Sequence, residues 1–141
     1  MTHQRRLKVI TLSIGANQFQ CQLKTWKLDP GVEDGDRQYT YCDGPDNSFV
    51  EETDGEPTLE LAWFSDWRSA GLDDYLWSNN NVAADFVLDH HPGIVGEHVR
   101  WTGKVLLKPP AAGGDVRATE TSEITLQVLG TLGDGLTYER I

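Results

Sequence analysis

At 141 residues with a formal net charge of −10, the chain is long enough to bury one core without disulfide or metal staples, and it lacks the basic footprint that duplex binding needs. No stretch approaches the ~20 apolar residues of a membrane span. The opening MTHQRRLKVITLSIGANQFQ alternates where a signal peptide would be continuously apolar, and two cysteines do not make a disulfide framework, so the sequence reads as a protein made and kept in a cytosol.

Residues 7–14 are rich in β-formers and end at Gly15-Ala16-Asn17, a short turn. Phe19, Cys21 and Leu23 then alternate with Gln18, Gln20, Gln22 and Lys24, the period of a half-buried strand. The two segments predict an antiparallel hairpin, with Trp26 and Leu28 continuing the second strand beyond a bulge. Its polar face, Gln18, Gln20, Gln22 and Lys24, is a candidate lining for a channel or a solvent face. Cys21 and Cys42 both fall in strand-like segments and read as small apolar residues, with a pairing left open by sequence.

From 29 to 57 the chain is mostly Asp, Glu, Gly and Pro. Ten acidic residues there face Arg37 alone, which accounts for nine of the ten net negative charges. A connection of this length inside a compact domain is usually functional, or disordered until bound. Its plain alternative is a loop kept soluble by its charge. An aromatic island, Tyr39-Thr40-Tyr41, could form one short strand within it.

Residues 58–64 place Leu59, Leu61 and Trp63 on one face. Ser65 or Asp66 can cap a helix from Trp67 to about Trp77, with Trp67, Leu72, Tyr75 and Leu76 as its apolar stripe. Asp73 and Asp74 are adjacent on that helix and point about 100° apart, so they read as a solvated surface and not as an acid/base pair. Strands at 82–88, 99–107 and 123–129 follow. The whole predicts a mainly β protein: an antiparallel β-sandwich or barrel with one flanking α-helix, in one domain spanning 1–141.

No nucleophile elbow, phosphate loop, dinucleotide fingerprint or H-E-x-x-H occurs in the sequence, so no catalytic residue, cofactor site or metal site is assigned. Three of the four histidines, His90, His91 and His98, fall within LDHHPGIVGEH at 88–98. They have the residue types of a zinc site without its paired spacing. Pro92-Gly93 marks a turn, so the segment reads as a polar hairpin loop with its histidines on the surface. The five tryptophans, Trp26, Trp63, Trp67, Trp77 and Trp101, mostly sit on apolar faces, which favours core and subunit contacts. An exposed row of them would instead make a carbohydrate-binding β-sandwich module.

The order of elements resembles that of the major tail, or tail tube, proteins of long non-contractile-tailed bacteriophages, from about residue 19 to 130. The resemblance is carried by LELAWFSD at 59–66, GLDDYLW at 71–77, ADFVL at 84–88, TGKV at 102–105, GGD at 113–115 and SEITLQVLG at 122–130. It implies a structural virion protein without enzymatic activity. Such a protein forms hexameric rings that stack into a tube through which DNA passes without specific binding. It implies as partners further copies of the chain, a tape-measure protein and tail-end proteins, with no membrane. It implies the virion tail as location, and the host cytoplasm during assembly. A tail-terminator or head–tail junction ring of the same fold is the nearest alternative. On this reading the acidic segment, with Asp34, Asp36, Asp43, Asp46, Glu51, Glu52 and Asp54, makes contacts between rings.

Overall fold

A computed structural model describes residues 6, 9–42 and 44–141. Eleven strands and one α-helix lie among them: β1 Ile10–Ile14, β2 Asn17–Gln18, β3 Leu23–Asp29, β4 Arg37–Tyr39, β5 Ser48–Val50, β6 Thr58–Phe64, α1 Leu72–Ser78, β7 Ala83–His90, β8 Val99–Leu106, β9 Thr121–Leu129, β10 Thr131–Leu132 and β11 Gly135–Arg140. The mainly antiparallel β architecture with one helix matches the expectation from sequence.

Nine strands form one sheet in the order β2-β1-β7-β8-β9-β6-β3, with β10 and β11 as a branch. The branch point is β8. Its last residues, Lys104 to Leu106, pair with β9, whereas its first, Val99 to Thr102, pair with β11. One strand thus feeds two diverging ladders, and the sheet wraps until its ends face each other. Trp26 on β3 meets His90 on β7 at 5.3 Å and Trp101 on β8 at 6.1 Å between ring centroids, although β9 and β6 stand between β3 and β8 in that order.

The core between the two layers follows from alternation. Leu12 and Ile14 of β1, Phe86 and Leu88 of β7, Val105 of β8, Leu59, Leu61 and Trp63 of β6, and Leu126 and Val128 of β9 are all buried. Cross-strand pairs such as Leu12↔Leu88, Ile14↔Phe86 and Leu59↔Leu126 put these side chains on one face. Gly103 stands opposite Phe86. A Cβ there would lie 3.1 Å from both the Phe86 ring and the Gly135 carbonyl oxygen, so glycine lets β11 cross close to the aromatic.

The first hairpin turns at Gly15, whose φ of 63° suits glycine, and a Cβ there would meet the Tyr75 hydroxyl at 2.7 Å. The strand expected beyond it is interrupted. After Asn17–Gln18 the chain makes tight turns, with Gln22 N–H donating to the Phe19 carbonyl and Leu23 N–H to that of Gln20. Phe19 is buried against Tyr75 while Cys21 is exposed. The Gln-Phe-Gln-Cys-Gln alternation therefore imitates a strand around one anchoring ring. The expected bulge is present, between Leu23 and Thr25 where β3 pairs with β6.

Helix α1 is shorter than expected and begins after Gly71 without a side-chain cap of its own. Gln22, from the interrupted segment, supplies one: its Oε1 accepts from the Leu72 N–H at 2.9 Å. Trp67, expected on the helix, precedes it and is exposed, its Nε1 donating to Glu120. Asp73 corrects the expectation of a solvated pair. It is fully buried, and its Oδ2 accepts from Trp63 Nε1 at 2.9 Å and from the Asp66 N–H at 2.7 Å. Its Oδ1 accepts from the Ser122 hydroxyl at 2.7 Å. That donation uses the Ser122 proton, so at the 2.7 Å contact between Ser65 Oγ and Ser122 Oγ it is Ser65 that donates. One carboxylate thereby ties α1 to β6 and β9.

Candidate assembly surfaces

The residues expected to act fall on three surfaces: the acidic segment, the polar strand face and the histidine hairpin. The acidic segment is not a loose loop. It prolongs the β3–β6 hairpin as a two-stranded arm. Beyond the last core pair, Asp29↔Thr58, Gly31 packs on Glu56 so closely that a Cβ would meet its carbonyl at 2.3 Å. The Thr53 hydroxyl donates to the Glu33 carbonyl, and the Glu51 N–H to that of Asp36. Then β4 and β5 pair as Arg37↔Val50, Gln38↔Phe49 and Tyr39↔Ser48, and a 3-10 turn at Pro45–Asn47 forms the tip. Fully extended, residues 29–41 would reach at most about 45 Å.

None of the described residues from 30 to 56 is buried. Asp34, Asp36, Glu51, Glu52 and Asp54 flank the stem and Asp46 sits at the tip, all at least partly exposed; Asp43 lies outside the described residues. Glu51 Oε1 accepts from Gln38 Nε2 at 2.8 Å, and the Arg37 guanidinium lies 5.6 Å from the Tyr39 ring centre. Between the charges the arm exposes Val32, Tyr39, Tyr41, Phe49 and Val50. Cys42, near the tip, is free and exposed, as is Cys21. An isolated two-stranded hairpin is marginal in water, and apolar side chains with nothing to pack on point to a contact made elsewhere. The charge and the Tyr island are visible in the sequence. The pairing is not, because three-residue strands carry too little alternation to register.

The residues expected to share one polar strand face do not. Gln18 lies on β2 and Lys24 on β3, both exposed. Gln20 sits in the turn, its Nε2 donating to Gln18 Oε1, and Gln22 caps the helix. Polar side chains of neighbouring strands gather elsewhere. On β3, β6 and β9, Thr25, Lys27, Glu60, Glu123 and Thr125 line a shallow trough together with Leu61 and Ile124. On β7, β8 and β11, Asp85, Thr102, Lys104 and Thr137 border a second, mainly apolar one with Phe86, Val87 and Leu129.

The histidine segment does connect β7 to β8, as expected, but its histidines are not plain surface residues. His90 belongs to β7, pairs with Ile10 and Val99, and is half-buried between Trp26 and Trp101. His91 turns into the left-handed region, φ 53°, and its ring lies 3.8 Å from that of His90. His98 is on the opposite side, with Nε2 3.6 Å from Asp89 Oδ1. Asp89 also accepts from Arg100 Nε at 2.7 Å, which is the main reason its carboxyl titrates below the usual range. No group of three or more metal-ligating side chains is gathered among the described residues.

The Asp89–Arg100 pair predicts an acid limb. Its carboxyl has a lower pKa in the folded than in the unfolded chain. The pair's contribution is therefore present above the unfolded value of about 4 and fades as pH falls through the lower folded value. Arg100→Gln should flatten part of the stability loss between pH 5 and 3, measured by urea unfolding at each pH.

No protein-family model and no curated protein sequence matches the chain. Solved structures do. One is the sheath/tube terminator of an extracellular contractile injection system, PVC, in its extended state: 16% identity, TM-score 0.60, over 99% of both chains. Another is from the sheath-tube complex of the same kind of particle: 17% identity, TM-score 0.56, over 94% of this chain and 88% of that one. At such identities the likeness is one of fold. The fold is terminator- and tube-like, and nothing in it singles out the tubes of non-contractile tails.

Of the five tryptophans, Trp63 is buried, Trp26 and Trp101 face the interior, and only Trp67 and Trp77 are exposed. They do not form the row that an oligosaccharide platform requires.

Proposed function

We propose that this chain is a structural subunit of a phage-tail-like particle and forms a terminator ring at the end of its tube. The observation that carries the reading is the match to a sheath/tube terminator over 99% of both chains. The arm supports it. A stem with exposed aromatic residues and no core of its own suits a subunit that completes itself on a neighbour. Ring closure is heterologous and side to side, in six copies, with the arm reaching an adjacent subunit or ring. The net charge of −10 suits a channel that lets DNA pass without binding it. The partners are the tube, the tape-measure protein and other tail-end proteins, with assembly in the host cytoplasm.

The tube subunit itself is the second reading, favoured by the likeness to a sheath-tube complex chain. Negative-stain electron microscopy of the concentrated protein separates the two. Discrete rings of uniform diameter that do not stack support the terminator. Tubes that lengthen with concentration assign the chain to the tube. A protein that stays monomeric and does not bind tube ends overturns both.

A further inference from the structure

The β7–β8 hairpin holds the last strand of the chain as well as joining its own two. Loop 91–98 carries two bonds to that strand: the Ile141 N–H donates to the His98 carbonyl at 2.9 Å, and Arg140 Nη1 to the Gly96 carbonyl at 2.7 Å. Alongside, β11 pairs with the start of β8 from Thr137↔Thr102 to Arg140↔Val99. At the root of the same loop sits the stacked pair His90–His91.

The surroundings of His90 suit a neutral ring. Ile10 faces it from β1, Trp26 from β3, and Val99 and Trp101 from β8. Its Nδ1 is buried with no hydrogen-bond partner. No carboxylate among the described residues is paired with His90. Asp89 and Arg100 point to the other face, where Glu139 pairs across from Arg100 and His98 faces Asp89. Lys24 lines the seam beyond Trp26, Tyr138 packs on Trp101, and Arg140 is engaged with Gly96. Glu97 lies in the loop itself. The one titratable ring stacked on His90 is that of His91, so a second positive charge there is repelled at close range.

We propose that the His90–His91 pair is an acid-sensitive latch on the C-terminal strand. A proton on the inner ring separates the pair, opens loop 91–98, and frees the end of β11 that the loop holds. Burial, and secondarily the His91 charge, hold His90 below the ordinary histidine value. The open loop takes up the proton at about 6.5, so closure is fully stable above that pH and weakens as pH falls below it.

Amide hydrogen exchange, with times scaled for the intrinsic chemical rate, tests the latch at pH 7.5 and 5.0. Protection in peptides covering 91–98 and 136–141 should fall together by about tenfold at pH 5.0. Uptake of a single proton changes the opening equilibrium by at most a factor of about ten for each pH unit below the open-loop value. His90→Phe keeps a ring between Trp26 and Trp101 without a proton and should remove the fall, whereas His98→Gln should leave it intact. Equal protection at both pH values in the unmodified chain overturns the proposal, as does an undiminished fall in His90→Phe. Should His90→Phe not fold, His90→Leu takes its place, since it too removes the titrating ring: loss of the fall supports the latch, and an undiminished fall overturns it.

Discussion

Asp73→Ala should lower the unfolding free energy by about 4 kcal/mol, one of the larger effects available to a single substitution. The carboxylate is fully buried and collects three donors, from Trp63, the Asp66 backbone and Ser122. Truncation leaves the indole N–H and a backbone N–H without acceptors in a site closed to water, and each such group costs about 1–3 kcal/mol. For a chain of this length the loss corresponds to about 12 °C in Tm by calorimetry. Asp73→Asn discriminates the cause. The amide oxygen can still accept from Trp63 and Asp66, and its NH2 can donate to Ser122, which then turns its own proton toward Ser65. Reversing that one short chain of hydroxyls should recover about half the loss. Equal damage from Asn and Ala would show that the charge matters and not the acceptor geometry.

Excision of 33–54 should leave the fold intact and abolish assembly. Gly31 and Glu56 are already in contact, so Val32 and Gly55 can be rejoined through two glycines without moving β3 or β6. The described residues removed include none that is buried, and stability should stay within about 1 kcal/mol. Under the proposed function, the excised protein yields monodisperse monomers where the full chain yields rings, checked by electron microscopy and sedimentation. Intact rings from the excised chain would remove the arm from the assembly. Tyr39→Ser and Phe49→Ser in the full arm should weaken rings by a smaller, graded amount, because they delete apolar contact area and leave the acidic stem in place.

Long alternating runs made much of the fold legible. Residues 58–64, 99–107 and 123–129 each alternate far enough that only a strand places Leu59, Val105 or Leu126 consistently inward. The hairpin at 88–98 was legible for the same reason, through Pro92-Gly93 between two such runs. Local pattern failed where one residue was recruited from a distance. Gln22 looks like the polar side of a strand, yet it caps a helix 50 residues later in the chain. Asp73 looks like helix surface, yet Ser122, 49 residues on, completes its site.

What sequence by itself determined was therefore the inventory: a mainly β chain with one helix, a segment at 29–57 holding nearly all the net charge, and a histidine-rich turn. Those properties rest on composition and short-range period, which act within a few residues. Tertiary structure decided which of the polar residues were interior and what the acidic segment became. The arm forms because β3 and β6 pair side by side and deliver both ends of the segment together, and His90 is shielded because the wrapped sheet brings Trp26 across the interior to meet it. Such contacts join residues tens of positions apart, and no local periodicity records them.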